Sequence, residues 1–193
     1  DYTEAATAIS QAGTAKGAYQ HRWQSTVQGF ASAQEGTDIL EGDYGYFADS
    51  YERVLELQDA GAQIDFNTSS ANQLTYQGEF GKQNAAMMPR GTWYTATLIS
   101  QQAAGEADDF EWGIAPIPQL DDSTTGTDNT PVTFGDPTGL SINAGIDESK
   151  VQAAKDFLAF AASLEAAELL AEIGITPAVA DDNVTEAYFA VEG

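Results

Sequence analysis

The stretch FGKQNAAMMPRGTW, residues 80–93, constrains the fold of this chain more than any other. It joins a Gly81-Lys82 turn, a short apolar run over 85–88 and a Pro89-Arg90-Gly91 elbow. It closes on Trp93 and Tyr94, which open a further apolar segment. The pattern reads as a strand over 84–88, a glycine-bearing turn and a helix over 92–104 with Ala96 and Ile99 inward. A backbone that bends there aims its first helical side chains at the bend, an arrangement suited to presenting a ligand.

The flanking segments alternate helix and strand signals. Residues 3–12 place Ala5, Ile9 and Ala12 at helical spacing, and Gly13 offers a stop. In GAYQHRWQSTVQGF, helical spacing puts Tyr19 and Trp23 on one face, while 35–46 reads as a glycine-rich loop. Residues 47–60 are helical, with Phe47, Tyr51, Val54, Leu55 and Gln58 on one side and Gly61 at the end. Asn67 to Ser70 form a polar cap for a helix reaching Tyr76, broken by Gly78 and Gly81. Residues 111–120 are extended, because Pro116 and Pro118 exclude a helix interior and suit a sheet edge.

Residues 121–131 form a solvent loop. Its spacing imitates a calcium loop, but the twelfth position is Val132 where a bidentate Glu is needed. Residues 135–143 read as a turn and a short strand. Ser149 and Gln152 make a capping box for a helix from 150 to about 173, with Ala154, Phe157, Leu158, Ala161 and Leu164 inward and a restart at Ser163. Gly174 and Pro177 end it, and the tail from 180 is acidic and weakly patterned. Strands separated by helices indicate an α/β fold.

Charge narrows the partners. Thirty acidic residues against seven basic ones give a net charge of -23 at neutral pH. Nucleic acids and anionic lipid need Lys and Arg to displace counterions, so neither is expected. With no cysteine and one histidine, thiolate chemistry is excluded and zinc or nucleophilic chemistry has little to work with. No phosphate-binding glycine loop, nucleophile elbow or zinc-protease motif is present, and no metal or cofactor is expected. Carboxylate pairs exist by number alone, but none stands in a context that singles it out for glycoside hydrolysis. What remains is aromatic surface beside small polar groups: Tyr19 to Trp23, Trp93 with Tyr94, and the Gly135-Asp136 turn. Flat rings suit the apolar faces of sugars, while amides and carboxylates satisfy their hydroxyls. Trp112, inside an extended apolar run, reads as core.

Four ordered blocks over 80–177 then resemble one family. FGKQNAAMMPRGTW is similar to the F-x-x-GKAAM-x-x-x-GxW block of extracellular solute-binding proteins of carbohydrate ABC importers. WGIAPIPQL is similar to its G-x-x-PLP segment, GDPTGLSIN to the loop and strand that follow, and KVQAAKDFLAFAASLEAAELLAEIGITP to its closing helices. Before residue 80 the likeness is looser, resting on a helix that ends LQDAG at 57–61.

The resemblance implies a periplasmic-binding-protein-like α/β architecture whose lobes close over a sugar. It implies a carboxy-terminal lobe over 1–134, helix-rich with a short sheet, and a hinge crossing and helical return segment over 135–193. The amino-terminal lobe would be largely missing, and the opening within a helix-like pattern agrees with a piece of a longer chain. By the same resemblance the protein is a non-catalytic monomer that binds carbohydrate and delivers it to the importer's membrane subunits; another small solute, a peptide or a polyamine, is the alternative ligand. It would act outside the cell, with a lipid anchor. Trp93 matches the family's sugar-stacking aromatic, with Tyr94 beside it and Arg90 in the same turn. Gln20, His21 and Trp23 stand about where relatives place an aromatic and polar cleft wall, and Gly135 and Asp136 at a contacting loop. Pro89-Arg90 replaces the usual small or polar pair.

Overall fold

The computed structural model describes residues 2–23, 26–36, 39–126, 128–135 and 138–191. The chain divides into two compact units, Asp1–Arg90 with Gln101–Phe134, and Gly91–Ser100 with Gly135–Gly193. Among the described residues the fold is helix-rich α/β with one two-stranded parallel sheet. No helix among them is long and apolar enough to cross a membrane.

In the first unit, α1 (Tyr2–Ala12) lies on β1 (Lys16–Ala18), which pairs with β2 (Ala85–Met87) in the register Lys16↔Ala85 and Ala18↔Met87. Helix and strand touch through their backbones. A Cβ on Gly17 would stand 1.8 Å from the Ala6 carbonyl oxygen, so only glycine fits. The core beneath is small: Ala6, Ala18, Leu57 and Ala62, with Tyr2 and Met87 against it. Ala18 N–H donates to the Ala62 carbonyl at 3.0 Å, and Lys16 Nζ donates to that of Gly61 at 2.8 Å. Helix α3 (Gly45–Asp59) thus ends against the strand. Gly61 takes φ +70°, and Ala62 N–H returns to Leu57 O to satisfy the helix end. Helix α2 (Gln28–Glu35) packs on α3, and Phe30 meets Phe134 edge to face.

Several elements depart from the sequence pattern. The helical spacing of Tyr19 and Trp23 belongs to no helix: residues 16–18 are strand, and 19–23 are irregular. Pairing with β2 and contact with α1 override the local periodicity there. The buried face of α3 carries Tyr46, Ser50 and Leu57, leaving Tyr51 and Leu55 exposed at 38% and 54%. The apolar stripe is therefore turned from the expected one. Asn67 to Ser70 lie inside α4 (Phe66–Ala71), whose cap is Asp65. Tyr76 starts α5 (Tyr76–Gly81) instead of ending a helix, capped by Thr75, and Gly78 and Gly81 lie within that short helix. Residues 111–120 form neither helix nor strand, and 138–143 form no strand. Trp112 is half-buried and donates to Gln102 Oε1 at 3.1 Å.

Helix α6 (Trp93–Ala103) buries Tyr94 and Leu98, with Ala96 and Ile99 half-buried. In the second unit α7 (Glu148–Ala161) is capped by Asp147, whose carboxylate accepts from Ser149 N–H, not by the Ser149 box. None of its residues is fully buried, and Phe157 is 62% exposed. The restart at Ser163 is real: its hydroxyl accepts from Ala166 N–H at the head of α8 (Leu164–Ala171). Gly174 then turns at φ +78° against Ala96 and Ile99. The weakly patterned tail forms α9 (Asp182–Phe189), capped by Asp181, and Val184 joins Ala167 and Ala171 in a second small core.

Candidate functional site

Parallel strands end on the same edge of their sheet, and chain leaving that edge is brought together. Tyr19 N–H donates to Met87 O at 2.9 Å just past the strand ends. Residues 19–23 after β1 and 88–90 after β2 therefore emerge side by side. In open α/β folds ligands collect outside such carboxyl ends.

Tyr19 anchors the first segment and is 1% exposed. Its hydroxyl lies 3.1 Å from His21 Nδ1 and 3.4 Å from Ser69 Oγ, and donates to Leu74 O at 3.3 Å. Burial pushes this phenol's pKa up. Gln20, half-buried, is fixed through its backbone N–H, which donates to Gln63 Oε1 at 3.0 Å. Beyond His21 the Thr26 hydroxyl bonds the carbonyl oxygens of His21 at 2.6 Å and Trp23 at 2.7 Å, closing the turn.

His21 is 5% exposed, and its pKa is held down to about 4, first by burial and then by the charges of Arg90 and Arg22. It is a neutral ring at ordinary pH and serves here as an aromatic wall. It meets Trp23 edge to face at 4.8 Å and Tyr76 at 5.5 Å, while Trp23 and Tyr76 meet at 5.9 Å. Arg90 completes the cluster: its Cζ stands 3.6 Å from the Tyr76 ring centroid and 4.5 Å from that of Trp23. Contacts of these kinds contribute about 0.5–1.5 kcal/mol each. Together they fix an indole that would otherwise move freely, since Trp23 is 49% exposed. Arg22 is exposed beside it, with Nη1 donating to Ser69 O at 3.1 Å. Among the described residues no His, Asp and Glu side chains gather into a metal-binding group.

Of the residues singled out from the sequence, His21, Trp23 and Arg90 come together in the first unit, and Gln20 adjoins them in the chain. Trp93, Tyr94 and Gly135 belong to the second unit. Trp93 is 43% exposed, and its indole packs onto the Gly91 backbone, where a Cβ would stand 1.8 Å from Cζ3. Tyr94 is buried at 6%, and Gly135 is exposed. Asp136 lies outside the described residues. Sequence reasoning missed Tyr76 and Arg22. The cap signal of Thr75 would have started a helix at Tyr76, but nothing local announces that its ring meets residues 21–23 and 90.

The family model for bacterial extracellular solute-binding proteins matches residues 1–189. No curated protein matches the chain. Among solved structures, the chain is similar to a crystal structure of a sugar transporter from Rhizobium etli in an open conformation, at 29% sequence identity and a TM-score of 0.74. The match covers 98% of this chain and 47% of that one, so the chain spans about half the length of that transporter.

Proposed function

Because this chain belongs to the bacterial extracellular solute-binding protein family, with its periplasmic-binding-protein-like fold, we propose that the intact protein captures a carbohydrate without catalysis and hands it to an ABC importer. It acts outside the cytoplasmic membrane, with the importer's membrane subunits as partners. Residues 1–134 serve as the carboxy-terminal lobe and 135–193 as crossing and return segment. The carrying observation is the Trp23 platform at the carboxyl ends of the strands. It is exposed enough to receive a sugar face and braced by His21, Tyr76 and Arg90. Gln20 belongs to the same proposed set in the first unit, and Trp93, Tyr94, Gly135 and Asp136 are proposed as ligand contacts of the second unit by itself.

A competing polyamine ligand fits this platform poorly, because a cation would approach an indole already carrying a guanidinium. The test is titration of tryptophan fluorescence in the intact protein with a panel of mono- and oligosaccharides, repeated with Trp23→Ala. Saturable quenching that weakens at least about tenfold in the variant supports the reading, as expected for a stacking anchor. Silence across the panel, or release of reducing ends from the oligosaccharides, overturns it.

A further inference from the structure

Basic residues are scarce in this chain. Seven Lys and Arg stand among thirty Asp and Glu, and Arg22, Arg53 and Arg90 are its arginines. Two of these converge on the Trp23 platform. Arg22 is exposed next to it, with Nη1 held by Ser69 O at 3.1 Å, and Arg90 lies over its ring. A guanidinium carries five N–H donors in a rigid fork, so the bond to Ser69 orients Arg22 and leaves donors for a planar anion. The effect of this positive charge is visible at His21, where both arginines add to burial in disfavouring a proton. Glu79 is a nearby acid that acts on Tyr19, and burial raises its own pKa.

We infer that the site takes an acidic carbohydrate, a uronic-acid sugar whose ring stacks on Trp23 and whose carboxylate is met by Arg22, with the charge of Arg90 behind the ring. This rests on the carbohydrate reading above and names its substrate class. The net charge of -23 opposes any anion at a distance. At physiological salt that repulsion is screened beyond about 8 Å, whereas a carboxylate on Arg22 is in direct contact. The local pair therefore decides selectivity, and the global charge slows arrival.

Calorimetry on the intact protein with digalacturonate and with the corresponding neutral galactose disaccharide tests this. The expected result is at least about tenfold tighter binding of the acidic sugar, the size of one charge-assisted hydrogen bond. Arg22→Gln should weaken the acidic sugar far more than the neutral one and so remove that advantage, and Arg22→Lys should keep part of it. Thermal melting confirms that each variant is folded, which the exposed position of Arg22 favours. Equal or tighter binding of the neutral sugar, or equal losses for both sugars in Arg22→Gln, overturns the acidic preference while keeping carbohydrate binding. Binding of neither sugar, with spermidine bound instead, overturns both.

Discussion

Gly17→Ala is the sharpest test of how this site is supported. The added Cβ would meet the Ala6 carbonyl oxygen at 1.8 Å and its carbonyl carbon at 2.4 Å, where an ordinary contact begins near 3.4 Å. These are backbone atoms and cannot swing aside, so α1 must retreat from β1 by about 1.6 Å. That retreat stretches the 2.6 Å bond from Gly17 N–H to Ser10 Oγ beyond hydrogen-bonding range, a loss of about 1 kcal/mol. It also opens the contact among Ala6, Ala18, Leu57 and Ala62. A gap of 0.5–1 Å already forfeits a quarter to a half of each dispersion contact, and overpacking of this kind costs about 1–3 kcal/mol. A total near 3 kcal/mol is a large share of the roughly 5–15 kcal/mol that holds a domain folded. At about 2–4 °C per kcal/mol, the melting temperature should fall by about 10 °C. The assay is thermal unfolding followed by circular dichroism, with Gly13→Ala as the control, because a Cβ there meets Ile9 O at a comfortable 3.7 Å. If the two variants melt within about 2 °C of each other, the backbone contact is not what holds β1, and the support inferred for residues 19–23 fails with it.

Two further outcomes follow from the same geometry. His21 has a folded pKa of about 4 against about 6.5 unfolded, so as pH falls the unfolded chain takes up the proton first. The stability it confers is complete above about pH 6.5 and drains away down to about pH 4, by roughly 1–3 kcal/mol. Denaturant midpoints for the protein and His21→Gln, measured over pH 4–7, should converge toward acid; a constant separation refutes this. Gly91→Ala places a Cβ 1.8 Å from the Trp93 ring, but a half-exposed indole can rotate away. Stability should change by less than about 1 kcal/mol while tryptophan emission and sugar affinity both shift. Unaltered emission would show that Trp93 does not rest on Gly91.

How much of this was legible beforehand varied with the range of the forces involved. Helix α1, strand β2 and helix α6 followed from local pattern, as did the break at Ser163, since spacing, caps and glycine act within a few residues. The strand β1 was hidden: three residues with a central glycine have no period of their own, and only contact with α1 and β2 makes them a strand. The rotated face of α3 has a similar cause, because the partner elements decide which of several apolar positions turns inward. At the site, the sequence groups His21 with Trp23 as one wall and places Arg90 apart from them, in the turn with Trp93. Their convergence depends on the side-by-side pairing of two strands whose partners are 69 residues apart, as the Ala18↔Met87 register shows. Helix α9 escaped because its helical pattern is diluted by acids, and Val184 is its only fully buried position among the described residues.

The bracing of Trp23 also bears on timing. An indole held on several sides before any ligand arrives has already surrendered its rotamer freedom, which otherwise costs about 0.5–1.5 kcal/mol at binding. Capture then needs no slow ordering step at this residue. Among sugars of equal charge that stack there, differences in affinity should be carried by residence time, with arrival rates nearly shared.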